Sequence, residues 1–152
     1  MEYNHDSEQI KALTSVYFTG SVDEARASLL KEEDLLNQVL ARHPRPDDYS
    51  APKRAASMRL RFVYGRLLTL ETLEGNTNAA TVYFEKFRSL CAGGLRDANL
   101  SSNEVAAGIE KITPEGCLQF IVKIDKEVND GKEPNYMTEL NEAPSLPNAT
   151  HP

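Results

Sequence analysis

Five basic side chains crowd into one short stretch of an acidic chain: Lys53, Arg54, Arg59, Arg61 and Arg66. A guanidinium is a planar fork of donors that grips a carboxylate through two parallel bonds. The chemistry such a cluster offers is therefore recognition of acidic groups. Arg54 and Arg61 are seven residues apart, as are Arg59 and Arg66, so each pair falls near one face of a helix. Arg54, Arg59, Arg61 and Arg66 are the candidate binding residues, for an acidic peptide or a chain terminus. The opposing reading is structural: the same arginines pair with surplus acids of neighbouring helices, including Glu71 and Glu74, and serve solubility. The acidic C-terminal segment is itself a candidate occupant of the stripe.

Residue types that could catalyse are scattered. His5, His43 and His151 share no helix face with an acid or a cysteine at ligand spacing, so neither a metal site nor a catalytic triad is suggested. They read as solvent-exposed. Glu32-Glu33-Asp34 reads as a solvated helix face, and Gly93-Gly94 as a helix stop too short to cradle phosphate. Cys91 and Cys117 lack the spacing of a zinc knuckle or a redox pair and read as buried free thiols, a disulfide being preferred only in an exported protein. No catalytic residue, metal or cofactor is expected, and the chain reads as non-enzymatic.

The elements that would position these residues are helices. Ile10, Leu13 and Tyr17 recur at helical spacing up to Gly20, which suits a left-handed helix end. Ser21 and Glu24 then fit a capping box opening a helix marked by Ala25, Leu29, Leu36 and Leu40, which stops before His43-Pro44-Arg45-Pro46. A third helix runs from Pro52 to Glu74 with Leu60, Val63, Tyr64, Leu67, Leu68 and Leu70 as its apolar stripe, closed by Gly75. A fourth carries Ala79, Ala80, Tyr83, Phe84, Phe87, Leu90 and Cys91. Ser101 with Glu104 caps a short fifth helix. Thr113 and Pro114 start a sixth, lined by Leu118, Ile121, Ile124 and Val128.

Two stretches match at an offset of 55 residues: Leu13 with Leu68, Gly20 with Gly75, Ala25 with Ala80, and Leu29 with Phe84. Glycine turns the chain, a small alanine lets the helices approach, and a large residue one turn later fills the gap. That order, best seen in Gly75 to Phe87, resembles the tetratricopeptide repeat over residues 8–42 and 54–92, a little over half the chain. The family's period is about 34 residues and a proline usually closes its second helix, so this pattern is degenerate. The resemblance implies a right-handed stack of hairpins in which the helix at 52–74 lines a groove for peptides. Ala25, Leu29, Leu67, Ala80, Tyr83, Phe84 and Phe87 would form its core.

The whole chain bounds these readings. It has 152 residues, 40% of them hydrophobic, no Trp and no sustained strand-like alternation. The expected fold is all-α: about six helices in three antiparallel hairpins, a tetratricopeptide-like stack or an irregular bundle. Residues 1–7 read as a flexible lead, 8–130 as one domain, and 131–152 as a proline-containing acidic tail, loose or only draped on the domain. The net charge of −6 opposes binding to nucleic acid. No run approaches the length needed to span a bilayer, and the N-terminus has no secretory pattern. The chain reads as cytoplasmic, or as exported if a signal peptide has been removed. The expected function is a non-catalytic protein-interaction module. The alternative is a small immunity, inhibitor or adaptor protein acting by surface complementarity.

Overall fold

The computed structural model describes residues 2–45, 50–97 and 100–142, with the side chains at 2–8, 10, 11, 96, 97, 141 and 142 excepted. Its helix starts follow local chemistry. Ser21 and Ser101 each accept a hydrogen bond from the N–H three residues on, while Glu24 and Glu104 reach back to the serine N–H. Both are complete capping boxes. Thr113 caps through the Gly116 N–H, with Pro114 in the first turn. Seven helices run through the described residues: α1 (Glu2–Thr19), α2 (Val22–Ala41), α3 (Ala51–Leu73), α4 (Thr77–Asp97), α5 (Ser102–Glu110), α6 (Pro114–Val128) and α7 (Asn135–Glu142).

The two aligned glycines turn the chain by different means. Gly75 is left-handed at φ 80°, and the Asn76 and Gly75 N–H groups bond back to the Glu71 and Thr72 carbonyls. This closes α3 in the double-bonded glycine cap known as the Schellman motif. Gly20, expected to be left-handed too, is not. It is needed for space, since a Cβ there would lie 2.7 Å from the Val16 carbonyl oxygen and 2.9 Å from the Glu24 Cβ. The expected stop at Gly93-Gly94 is absent, and α4 runs on to Asp97. Two glycines cost a helix roughly 2 kcal/mol. The continued turn carries Leu95 onto Gly108 of α5, where an added Cβ would sit 2.8 Å from the leucine.

Helices α1 to α4 pack each along its successor, and α3 is the centre. Its residues from Val63 to Glu71 are buried without a break, enclosed by α2, α4 and α6. The core residues expected from the sequence are buried, except that Tyr83 is only half-buried and stacks its ring 6.3 Å from that of Tyr64. The third hairpin does not close on itself. Instead α6 packs on α3 and α5 on α4. Gly65 is the reason α6 can sit so close, because a Cβ there would be 2.5 Å from Ile121.

The ends differ from expectation. Helix α1 begins at Glu2 rather than after a lead. Within the segment read as a tail, residues 135–142 form α7, which packs on α1 and α2. Its Tyr136 is fully buried and Leu140 nearly so. Each such side chain withdrawn from water contributes about 2 kcal/mol, enough to dock a two-turn helix that could not stand alone. Residues 143–152 lie outside the described residues. No helix among the described residues is long and apolar enough to cross a membrane.

Candidate functional site

The predicted arginine stripe divides as it runs along α3. Arg54 is exposed near the start, and one turn on Met58 is 51% exposed. Phe62 follows a further turn along, half-buried, and its ring stacks on Phe120 of α6 at 6.3 Å and 18°. Next comes Arg66, which is buried. Its Nε and one terminal nitrogen each lie 3.1 Å from the same Asp125 oxygen. Its guanidinium lies within 6 Å of the rings of Tyr17, Phe18 and Phe62. Arg66 is therefore part of the core and not a free fork for a ligand carboxylate.

Arg59 and Arg61 leave the stripe on opposite sides. Arg59 is half-buried, and its charge acts on the carboxylate of Glu32 on α2. Arg61 turns to α4, where it hydrogen-bonds Cys91 and passes under Gly94. Neither takes Glu71 or Glu74, the acids expected to neutralise the stripe. Arg26 of α2 does: it donates to both Glu71 oxygens at 3.1 and 3.2 Å and also bridges to Glu74.

What stays open is a patch on the first half of α3 and the adjoining face of α6. Phe120 is 46% exposed, Ile124 half-buried and Val128 64% exposed, at one-turn intervals. Leu118, Ile121, Ile124 and Val128 are expected to line α6. Of these Ile121 is buried and Leu118 half-buried against the core, and α6 buries Cys117 and Asp125 beside Ile121. Lys123 is exposed one turn from Phe120. Met58, Phe62 and Phe120 were not marked as site residues. The only signal for Met58 and Phe62 is the four-residue step from Arg54 to Arg66, and no such step singles out Phe120 on α6.

Below this patch lies a buried polar network. Tyr17 and Tyr136 share a hydrogen bond of 2.7 Å between their hydroxyls, and Asp125 binds both Tyr17 and Arg66. Burial pushes the Tyr17 hydroxyl well above its ordinary value, with the neighbouring Tyr136 and Asp125 acting the same way. Burial also raises Asp125, against the pull of Arg66. Glu32, read as part of a solvated acidic face, is 2% exposed. Burial lifts its carboxyl from 4.5 to about 7 even though Arg66, Arg59 and Thr14 favour the charge. One of its oxygens has no hydrogen-bond partner. The helix period explains the placement, for Glu32 follows Leu29 by three residues and precedes Leu36 by four.

The cavity touching Tyr17 and Asp125 encloses about 10 Å3, room for one water at most. The network's geometry thus serves to lock α1, α3, α6 and α7 together. Cys91 and Cys117 are free thiols, and burial raises Cys117 to about 12, far from a nucleophilic thiolate. His43 is half-buried rather than exposed, and the side chains of His5 and His151 lie outside the described set. Among the described residues no group of three His, Cys, Asp or Glu side chains could hold a metal ion. Comparison with family models, with curated proteins and with solved structures finds no match to the chain.

Proposed function

We propose that the chain is a non-catalytic protein-interaction module that takes an acidic peptide with an apolar anchor on the open half of α3. The observation that carries this reading is the exposed Met58–Phe62–Phe120 surface, with Arg54 at one end and Lys123 beside Phe120. A stacked aromatic pair half in water is costly unless something covers it, and aromatic groups ringed by charge are what peptide anchors use. Cations on the rim of a chain of net charge −6 favour a partner carrying carboxylates next to its anchor. The resemblance to tetratricopeptide hairpins points to the same helix. The arginine assignment narrows, however: Arg66 serves the core, Arg59 and Arg61 turn to neighbouring helices, and Arg54 is left to face the partner.

Peptide display against the immobilised chain tests the proposal. Enriched sequences are expected to flank an aromatic or aliphatic residue with Asp or Glu. Their binding is expected to fall at least about ten-fold, or 1.4 kcal/mol, with Phe120→Ser and measurably with Arg54→Glu. Enrichment without acidic bias, or binding indifferent to both changes, would overturn it.

A further inference from the structure

Among the described residues, the outward face of α2 carries a second uncovered groove, on the other hairpin. Its volume is about 560 Å3, and Ala12 and Leu13 of α1 with Leu30, Lys31, Asp34 and Leu35 of α2 line it. Leu30 is 40% exposed and Leu35 half-buried, while Lys31 and Asp34 are exposed. Where hairpins stack, each buries its neighbour's outer face, and an end that is finished carries a polar surface instead. This end has three leucines in its groove.

We infer that the groove is the contact face of a two-fold dimer, and that its occupant is the same α2 of a second copy. The order of the residues favours this pairing. Read from either end, the α2 wall runs apolar, charged, charged, apolar: Leu30, Lys31, Asp34, Leu35, with opposite charges in the two inner places. A two-fold axis passing between Glu32 and Glu33 sets a second α2 antiparallel to the first. Each residue then lies level with its counterpart, Leu30 with Leu35 and Lys31 with Asp34, twice over. Partners are level along the axis and packed helices lie about 8–10 Å apart, so the paired charges fall within side-chain reach.

An acidic partner on this groove would meet Asp34, and a basic one Lys31; a second copy satisfies both. Electrostatics over longer range point the same way. Two copies of charge −6 repel each other, and they approach most easily through a face that carries both signs. Both Glu32 and Glu33 point away from the contact, Glu32 into the core and Glu33 toward Lys86 of α4 at 3.5 Å. The acidic centre of the segment therefore does not oppose the pairing. This contact is independent of the α3 and α6 surface, so either can fail without the other.

Sedimentation of the full chain between about 1 µM and about 1 mM, the span of moderate to weak association, is expected to show the mass doubling. Lys31→Asp and Asp34→Lys are each expected to weaken the dimer about ten-fold or more. The chain carrying both changes is expected to recover most of the loss, because the pairs reform with their signs exchanged. Leu30→Asp is expected to leave a monomer with unchanged helical circular dichroism, since the side chain is exposed. A chain that stays monomeric throughout overturns the inference. So does a dimer that survives Leu30→Asp, or a double exchange no better than the single ones.

Discussion

Arg66 and Glu32 both place an ionisable group inside the fold. Removing one member of a buried ion pair strands the other, which costs about 3–5 kcal/mol, whereas replacing both by apolar groups is close to neutral. Arg66→Met is therefore expected to destabilise the chain by about that amount in urea unfolding. Arg66→Met with Asp125→Leu is expected to recover most of it; a double variant as unstable as the single one would show that the guanidinium matters for its aromatic packing instead. Glu32 acts through its proton. The folded chain holds that proton up to about pH 7, and an ordinary glutamate loses it near 4.5. Between those values the folded state binds the extra proton, so stability falls as pH rises through the window and is level above it. Glu32→Gln is expected to flatten this fall. At about pH 8 the variant gains about 3 kcal/mol over the parent, and at about pH 4 nearly nothing. A variant less stable than the parent at the higher pH contradicts the assignment.

At the scale of elements, the seat of α6 on α3 depends on one missing methyl group. On helix propensity alone Gly65→Ala would stabilise α3 by about 1 kcal/mol. The added Cβ would stand 2.5 and 2.6 Å from two carbons of Ile121, and overpacking of that kind costs about 1–3 kcal/mol. A net loss is expected, with Gly65→Ala and Ile121→Val together restoring part of it. Net stabilisation by Gly65→Ala would mean that α6 moves aside freely. Helix α7 depends on Tyr136 in the same way. Tyr136→Ala removes a fully buried ring and the partner of the Tyr17 hydroxyl. A loss of about 3 kcal/mol is expected, and hydrogen exchange of the α7 amides should approach that of an unfolded segment. Retained protection would place the docking energy in Leu140.

Across the whole molecule stability is uneven. Helix α3 is buried on all sides along its second half, whereas α5 buries no residue. Amide exchange is therefore expected to be fastest in α5 and slowest between Val63 and Glu71. Comparable protection in the two would imply that α5 is covered in solution. Much of the fold was legible in the sequence, because capping boxes, a proline in the first turn and a glycine stop are settled by atoms within four residues of one another. Ser21 with Glu24, Ser101 with Glu104, and Gly75 all act as their local chemistry requires. The same local reasoning failed where distant contacts outweighed it. Leu95 finding Gly108 carried α4 through two glycines, and Tyr17 meeting Tyr136 made a helix of a segment that looked like a tail. The candidate site divided along the same line. That arginines recur at helical spacing on α3 follows from residue order alone. Which of them reach water depends on packing, because a guanidinium goes inside only where Asp125, Glu32 or Cys91 arrives from another helix to meet it.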